Sequence, residues 1–461
     1  MDRRPNILFL MTDEHRADVA GYEGNPVVRT PVLDELARTG VVFRNAYCAV
    51  PLCLPGRQCM MAGQHLRTWH PGNAWGLDLP PGYRTFARYF SQYAYQTVVS
   101  GKLHHVGPDQ MQGWLRRMGS DDVCMAPQYI DGLREEEVAR YAPKRPWTPS
   151  LAWRIRTAGV GPSKDERKVQ AAFYWMERQF LNVYNDHPYL MRYADQDPLP
   201  PFLFKVSLLE PHYPFHTSEE LFRYYLNRVQ PFVDQEPVEH PYLNGLYVLR
   251  EGKDLHRRDI RRATAAYYGM VENCDRNFGR ILDRLRDASQ DPDDWIIVYT
   301  SDHGDLLGEH ASWEKSQFFE GAVRVPLVIR WPKRFPGGRV VTENVSHCDL
   351  FATLCELAGL PVPEGLDSRS LVQLLEGRGR DWNDEVTSEL LPKRDLPHGA
   401  FMIKRGALKY HHYGPGMPDV LWDLARDPGE TRNAVDDPAY AEEVAGFRAR
   451  TRELGFPRAQ P

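Results

Sequence analysis

The sequence lacks any hydrophobic run long enough to cross a membrane. Its first apolar run, Asn6–Met11, has six residues, whereas a transmembrane helix needs about 20. The same run is too short for the apolar part of a secretory signal peptide, and no small-residue cleavage site follows it. We therefore expect a cytoplasmic protein without a membrane partner.

The sequence also lacks an excess of basic residues and any closely spaced pair of cysteines. Its formal net charge is −5, which argues against a nucleic-acid partner, because surfaces that bind nucleic acids are basic. The seven cysteines are scattered, and none forms the C-x-x-C pair that is typical of a zinc site. A disulfide framework is not expected in a chain of this size, so most cysteines are predicted to be buried thiols.

The chain does contain enough apolar residues for a large core. Of its 461 residues, 42% are hydrophobic and 26% are charged, which is typical of a globular protein. Four short apolar runs stop abruptly at polar residues, as central parallel strands do at an active-site edge. These runs are Asn6–Met11, Gln96–Val99, Pro201–Leu209 and Asp294–Tyr299. They predict an α/β fold with a large mixed, mostly parallel sheet sandwiched by helices.

Helices and a second, smaller sheet are predicted around these strands. The predicted helices are Pro31–Thr39, Thr85–Tyr95, Lys168–Val183, Arg258–Arg286 and Asp349–Ala358, the last stopped by Gly359. Val323–Trp331 is a further apolar run, and residues 107–200 are interpreted as insertions on the active-site side. Short alternating runs at Glu385–Leu390, Ala400–Lys404, Leu408–His412 and Asp419–Asp423 predict an antiparallel sheet, covered by a helix at Asp437–Glu453. We therefore divide the chain into a catalytic domain, residues 1–375, and a C-terminal subdomain, residues 376–461.

A five-residue stretch, Cys53–Arg57, carries the chemistry on which the other predictions depend. Pro55 suits the first turn of a helix, because its missing N–H has no partner there. This places Cys53 at or just before the N-cap, where free N–H groups favour negative charge. Arg57 then lies over the same helical face. The alternative is a buried free cysteine before a Pro-Gly turn, with Arg57 on the surface.

Ionisable residues follow each of the four predicted strands, whose ends converge on one crevice in an open α/β sheet. They are Asp13 and Glu14; Lys102 and His104; His212; and Asp302 and His303. Asp13, Asp302 and His303 are ligands typical of Ca²⁺, Mg²⁺ or Mn²⁺; taken singly, Asp13 would more often pair with Arg16, and Asp302–Gly304 would form a cap or turn. Lys102, His104, His212 and Lys315 are candidates for charge neutralisation and proton transfer around an anionic group.

Together these motifs resemble the type I sulfatases of the alkaline-phosphatase superfamily, over nearly the full length of the chain. The resemblance is carried by Cys53-x-Pro55-x-Arg57, the opening segment Pro5–Asp13, Ser301–Gly304, Trp313-x-Lys315 and the closing segment Leu421–Asn433. The segments Tyr47–Cys53 and Ser100–Gln110 resemble the choline-sulfatase branch in particular. The combination of motifs implies hydrolysis of a small-molecule or saccharide sulfate ester.

The resemblance also implies a cofactor and a role for each residue. Cys53 would be oxidised to formylglycine (3-oxoalanine) by a formylglycine-generating enzyme, and the hydrated aldehyde would attack sulfur. The metal, Ca²⁺ with Mg²⁺ or Mn²⁺ as alternatives, would be bound by Asp13, Glu14, residue 53, Asp302 and His303. Arg57 would hold the formylglycine, and Lys102, His104, His212 and Lys315 would line the sulfate pocket. In this scheme His212, with Lys315, protonates the leaving group, and His104 later removes a proton from the second hydroxyl.

Two alternatives and the oligomeric state stay open at this point. The first alternative is a phosphonate monoester or phosphodiester hydrolase of the same superfamily, which would use the same metal and the same formylglycine. The second is a non-catalytic anion-binding relative, whose signature would be the loss of a metal ligand or of Arg57. A homo-oligomer is compatible with the sequence.

Overall fold

A computed structural model describes residues 4–70, 77–119, 121, 151–181, 200–232, 236, 238–244, 248–392 and 396–456. Its main sheet has eight strands, which in chain order are β1 (Asn6–Asp13), β2 (Val41–Phe43), β4 (Gln96–Gly101), β5 (Arg116–Met118), β7 (Phe202–Pro211), β9 (Trp295–Ser301), β11 (Leu327–Arg330) and β12 (Arg339–Val341). The smaller strands are β3 (Ala46–Tyr47), β6 (Gly159–Val160), β8 (His216–Thr217), β10 (Arg324–Val325) and β13 (Val345–Ser346).

The main sheet is mixed but mostly parallel, as the apolar runs predict. Its strand order is β12-β2-β11-β9-β1-β7-β4-β5. Strands β9, β1, β7, β4 and β5 run parallel to one another, and β11 pairs antiparallel with β9 and β2. The central strands are buried on both faces, since both faces are covered by other elements. The predicted fold class is therefore confirmed.

Helices cover the sheet on both sides, and most lie where the sequence places them. They are α1 (Pro31–Thr39), α2 (Cys53–Ala62), α3 (Leu66–Trp69), α4 (Phe86–Gln92), α5 (Leu151–Arg156), α6 (Glu166–Met176), α7 (Glu219–Leu226), α8 (Arg257–Asp287), α9 (Glu320–Val323), α10 (Asp349–Leu357) and α11 (Val372–Leu375). On α8, Cys274, Phe278 and Ile281 share an apolar cluster with Leu8 and Leu10 of β1. Helix α8 thus packs against the centre of the sheet.

Several predicted elements differ in extent from those observed. Helix α4 is shorter than Thr85–Tyr95 at both ends. It begins after Thr85, whose hydroxyl caps it by accepting the Arg88 N–H at 3.1 Å, and it ends at Gln92, before Ala94 with its left-handed φ of 64°. The helix predicted at Lys168–Val183 begins at Glu166 and continues as a π-helix over Glu177–Leu181, and its last two residues lie outside the described ones. The run Val323–Trp331 is split into β10 and β11 at Pro326, which has no N–H for a strand ladder.

The C-terminal part forms the predicted antiparallel sheet. Its strands are β14 (Glu385–Leu390), β15 (Ala400–Arg405), β16 (Leu408–His412) and β17 (Val420–Asp423), covered by α12 (Ala441–Glu453). The helix begins later than Asp437, whose side chain caps a 3₁₀ turn at Pro438–Tyr440. The Glu389 N–H donates to the Ala49 carbonyl at 2.9 Å, which ties this sheet to the segment before α2. The boundary at residue 375 stays a prediction.

Among the residues that the structure describes, none of the helices combines the length and the apolar character that a membrane span requires.

Candidate active site

Helix α2 presents Cys53 at its amino end. Leu52 is the N-cap, so Cys53 is the first helical residue, slightly further into the helix than expected. Pro55 lies in the first turn, where its missing N–H costs nothing. A Cβ on Gly56 would lie 2.6 Å from the Val50 carbonyl oxygen, so this tight entry into the helix requires glycine. Residue 53 therefore lies at the positive end of the helix dipole.

The four strands that end in ionisable residues are neighbours in the sheet, in the order β9-β1-β7-β4. Because they are parallel, their carboxyl ends lie on one edge. This edge brings together Asp302, Asp13, His212 and Lys102, which come from widely separated parts of the sequence. The predicted convergence of the strand ends is observed.

Arg57 is buried and connects two of these strand ends. Its Nε donates to Asp302 Oδ2 at 2.8 Å, and its Nη2 donates to Asp13 Oδ2 at 2.7 Å. Its Nη1 donates to the Lys102 carbonyl at 2.9 Å and to Ser207 Oγ at 3.0 Å. The alternative of a surface arginine is therefore wrong. Ser207 was missed in the sequence, although a hydroxyl in a buried apolar strand is a usable signal.

Cys53 and three predicted metal ligands form one compact group. His303 Nε2 lies 3.2 Å from Cys53 Sγ, and Cys53 Sγ lies 3.7 Å from Asp13 Oδ1. Ligand atoms of these residues and of Asp302 all lie within 4.8 Å of one another. His303 Nδ1 donates to the Gly304 carbonyl at 2.8 Å, which leaves Nε2 free to bind a metal.

Glu14 lies beside this group and has an unsatisfied oxygen. Its Oε1 accepts from Lys315 Nζ at 2.8 Å, but its Oε2 is buried without a hydrogen-bond partner. Burial raises the pKa of Glu14 well above its ordinary value, although Lys315 opposes the change. Glu14 belongs to a second group of ligand atoms, with those of Asp13 and His212, that lie within 4.8 Å of one another, and its Oε2 is 3.5 Å from His212 Nε2. Because hard divalent cations prefer oxygen ligands, the carboxylates of Asp13 and Glu14 fit such an ion. Asp13 does not pair with Arg16, which instead binds Asp18 and Glu309.

The thiol of Cys53 differs from that of Cys59 on the same helix. Burial and Asp13 favour the neutral thiol of Cys53, but Lys102, Lys315 and His303 outweigh them, and the pKa falls well below its ordinary value. Burial instead raises the pKa of Cys59. The reading as an inert buried thiol therefore applies to Cys59 and not to Cys53.

Lys102, Lys315 and His212 also reach the site. Lys102 Nζ lies 2.7 Å from Asp13 Oδ2. His212 Nδ1 donates to the Tyr213 carbonyl at 2.7 Å, so Nε2 of the neutral ring carries no proton. Burial, with Lys315 and Lys102, lowers the pKa of His212 to about 3. Burial also opposes the charge on Lys315, but Cys53 and Glu14 raise its pKa well above the ordinary value, so Lys315 keeps its proton.

His104 is not joined to the other predicted site residues. Its backbone N–H donates to Asp121 Oδ2 at 3.0 Å, and its φ is 65°. Among the described residues, neither a hydrogen bond nor an ion pair links its imidazole to the cluster around Cys53. Its Nδ1 is buried without a hydrogen-bond partner. The role of His104 stays a prediction.

Sequence reasoning also missed Asp305, which shapes the loop that carries Lys315. Asp305 Oδ1 accepts the N–H groups of Leu307 at 2.8 Å and Glu314 at 3.2 Å. Its position directly after Asp302-His303-Gly304 was the available signal. The site is therefore a buried group of carboxylates and cations beside an activated sulfur, an arrangement suited to binding an anion and a metal together.

Two family profiles match this chain. A profile described as Sulfatase matches residues 5–360, and one described as N-sulphoglucosamine sulphohydrolase, C-terminal, matches residues 308–455. Among curated relatives, an arylsulfatase of Clostridium perfringens is 28% identical over 470 residues, covering 96% of this chain and 93% of the relative. A choline-sulfatase of Rhizobium meliloti is 28% identical over 451 residues, covering 94% and 83%.

Solved structures show the same architecture. The phosphonate monoester hydrolase of Agrobacterium radiobacter superposes with a TM-score of 0.74 at 25% identity, covering 98% of this chain and 95% of that one. A protein solved in complex with its substrate D-glucosamine-2-N,6-O-disulfate also gives a TM-score of 0.74, at 20% identity and with 99% of both chains covered. The second likeness supports the fold alone.

Proposed function

This chain belongs to the sulfatase family of sulfuric ester hydrolases, and we propose that it cleaves its ester with a formylglycine made from Cys53 and a divalent metal ion. The observation that carries the proposal is the buried Arg57, which bridges Asp13 and Asp302, two residues whose ligand atoms lie within 4.8 Å of the Cys53 sulfur. Asp302 Oδ1 accepts the N–H groups of Glu14 and His303, both at 3.0 Å, and lies 3.7 Å from His303 Nε2. Asp13 Oδ1 lies 3.7 Å from Cys53 Sγ.

The metal would be held by Asp13, Glu14, Asp302, His303 and residue 53. Oxygen-rich ligands favour Ca²⁺, with Mg²⁺ and Mn²⁺ as alternatives. When bound, such an ion polarises a sulfate oxygen and lowers the pKa of a neighbouring hydroxyl. The oxidation of Cys53 to formylglycine requires a formylglycine-generating enzyme as a maturation partner.

The chain's own cations would bind the sulfate ester and move protons. Arg57 and Lys102 hold the carboxylates in place and offset the negative charge of the ester. We assign the proton for the leaving oxygen to His212 together with Lys315, because both reach the same edge of the site: Lys315 Nζ lies 2.8 Å from Glu14 Oε1, and His212 Nε2 lies 3.5 Å from Glu14 Oε2. His104 Nδ1 has no hydrogen-bond partner. His104 is therefore available as the base that removes a proton from the second hydroxyl of the hydrated formylglycine.

The substrate class follows from the relatives. Their names include aryl and choline sulfates, and one structural neighbour holds a sulfated glucosamine. We therefore propose a small-molecule or saccharide sulfate ester.

Sulfate release and the mass of the Cys53 peptide test this function. The metal-loaded protein, co-expressed with a formylglycine-generating enzyme, should release sulfate from para-nitrophenyl sulfate or from one member of a panel of choline and sugar sulfates. The Cys53 peptide of the active protein should carry the aldehyde. Active protein with an unmodified Cys53 would disprove the formylglycine, and inactivity on every sulfate ester would disprove the activity.

A second candidate is phosphonate monoester hydrolysis. It is favoured by the Agrobacterium radiobacter enzyme, which matches 98% of this chain at 25% identity. Both reactions place an anionic group between the same cations, so the described site does not separate them. A comparison of kcat/KM for para-nitrophenyl sulfate and para-nitrophenyl phenylphosphonate does, and we expect the sulfate to be preferred.

A further inference from the structure

The loop that carries Lys315 has a backbone conformation that is unfavourable without support from other parts of the chain. Lys315 lies between Glu314 at φ 64° and Ser316 at φ 68°, a region that residues other than glycine rarely adopt. The Glu314 N–H donates to Asp305 Oδ1 at 3.2 Å, and the Ser316 N–H donates to the Pro51 carbonyl at 3.0 Å. Tertiary contacts therefore decide where the Lys315 ammonium lies.

Arg154 on helix α5 contacts the loops of both proposed proton donors. Its guanidinium forms an ion pair with Glu314, the neighbour of Lys315, and lies 4.1 Å from the ring centroid of Tyr213. The Tyr213 ring in turn stacks on His212 with centroids 4.4 Å apart, and its centroid is 5.6 Å from Lys315 Nζ. One side chain thus connects the Lys315 loop to the His212 loop.

Lys164 supports the backbone of the His212 loop. Its Nζ donates to the His212 carbonyl, and its backbone N–H donates to Glu210 Oε1 at 2.9 Å. The next residue, Asp165, accepts the N–H groups of Leu209 at 2.8 Å and Glu210 at 2.9 Å. Two consecutive residues of the insertion therefore hold the end of β7, from which His212 projects.

We propose that Arg154 and Lys164 are positioning residues that hold Lys315 and His212 against the leaving oxygen, and that they thereby set how basic a leaving group the enzyme can expel. The inference rests on the proposed function and assigns its leaving-group specificity to the insertion. Neither residue needs to touch the reacting atoms, because each acts through a neighbour of a proton donor. Both lie outside the motifs that carry the family resemblance.

This specificity is expected because leaving groups differ in how strongly their departure depends on a proton. A nitrophenolate leaves readily without one, whereas a phenolate or an alkoxide is a stronger base and depends on general-acid assistance. A misplaced acid therefore slows esters with basic leaving groups and spares the activated ester. A general loss of structure would slow all of them equally.

Arg154→Ala tests the inference in the full-length, metal-loaded protein that carries the modified Cys53. We expect kcat/KM for phenyl sulfate and an alkyl sulfate to fall by about 100-fold, and that for para-nitrophenyl sulfate by less than about fivefold. Lys164→Met should give the same selective loss, and Arg154→Lys a smaller one because the ion pair with Glu314 can re-form.

Arg156→Ala is the matched control. Arg156 lies on the same helix, but its guanidinium donates to the Asp254 carbonyl, away from the two loops. The control should leave all three rates unchanged, and thermal unfolding of each variant should show that it is folded. If Arg154→Ala does not fold, Glu314→Gln replaces it, since this change removes the ion pair and keeps the size of the side chain.

The outcomes separate this inference from the proposed function. Wild-type protein that hydrolyses no sulfate ester refutes the proposed function, and the same leaving groups are then compared as phenylphosphonate esters. A loss that is equal for all leaving groups, or no loss in a folded variant, overturns the positioning role. A loss that grows with the basicity of the leaving group supports it.

Discussion

Two networks of buried charges, one around Arg57 and one around Lys409, use the same residue types to different ends. Lys409 Nζ on β16 lies 2.8 Å from Glu320 Oε1 and 2.5 Å from Glu430 Oε1. The other carboxylate oxygens are also paired, because Glu320 Oε2 accepts the Tyr47 hydroxyl at 3.0 Å and Glu430 Oε2 accepts the Glu320 N–H at 2.7 Å.

The network around Arg57 and Cys53 contains a looser contact. Each carboxylate oxygen of Glu320 and Glu430 lies within 3.0 Å of a donor group, whereas Glu14 Oε2 forms no hydrogen bond and lies 3.5 Å from His212 Nε2. The cations around Cys53 also favour the charged form of its sulfur. A buried charge that lacks a partner is costly, so a closed network stabilises a junction whereas an open one invites a ligand. The difference between the two networks indicates what marks the proposed active site. It is the ionisable groups that lack a close partner, and not the number of buried charges.

Loss of the sulfur should have the largest effect. Cys53→Ala removes the precursor of the nucleophile, and we expect the rate of sulfate release to fall by more than about 10⁴-fold. Cys59→Ala, on the same helix, is the control and should keep its activity, because the Cys59 sulfur accepts the Trp69 indole N–H at 3.3 Å and packs in a cluster outside the site. Near-normal turnover by Cys53→Ala would contradict the mechanism.

Substitution of Arg57 and of Lys409 should have similar effects on stability but different effects on activity. Arg57→Met and Lys409→Met each leave buried carboxylates unpaired, so each should lower the free energy of unfolding by about 3–5 kcal/mol. Only Arg57→Met should also lower kcat/KM, by about 10³-fold. Denaturant unfolding and sulfate release, measured on the folded variants, check this. Equal losses of activity in both variants would remove the distinction between the networks.

The closed network should also have its own pH dependence. Burial raises the pKa of Glu430 to about 8, Lys409 opposes this change, and Glu320 adds to it. Between its unfolded pKa near 4.5 and about 8, the unfolded chain binds fewer protons than the folded one, so the wild type loses stability as the pH rises. Relative to Glu430→Gln, the loss should reach at most about 1.4 kcal/mol per pH unit. A constant difference from pH 5 to 8 would show that Glu430 is ionised in the folded protein.

The open network should respond to a metal, whereas the closed one should not. Ca²⁺ at about 100 times its Kd should stabilise the wild type by about 2.7 kcal/mol, visible as a higher unfolding temperature that a chelator reverses. Asp302→Asn should abolish this shift, and Glu430→Gln should retain it. A calcium-dependent shift that survives Asp302→Asn would place the ion elsewhere.

Several features of this site were predictable because they depend on local sequence. The Cys53–Arg57 stretch predicts a helix start, and polar residues directly after apolar runs predict a shared edge, since parallel strands align their carboxyl ends. The family resemblance and the fold class inferred from these patterns are confirmed. Ends of helices were less accurate, because caps such as that of Thr85 are decided by single side chains.

Contacts between distant side chains were not predictable from local patterns. Arg57 and Asp302 are 245 positions apart, and nothing near either residue indicates that they pair. His104 follows the same strand as Lys102, yet of the two only Lys102 contacts Asp13, at 2.7 Å, whereas His104 Nδ1 is buried without a hydrogen-bond partner. Arg154 belongs to an insertion without clear periodicity, so its contact with two loops emerges only in the folded chain.

The sequence by itself determined which groups are available: a sulfur at a helix start, carboxylates and imidazoles at strand ends, and the cations to accompany them. Local propensity and strand direction suffice for that, because both act over a few residues. Only the tertiary structure decided which carboxylate oxygen stays without a partner, which histidine nitrogen carries the proton, and which arginine steadies the loop of Lys315. These outcomes depend on distances between side chains far apart in the chain, and packing of the whole molecule sets such distances.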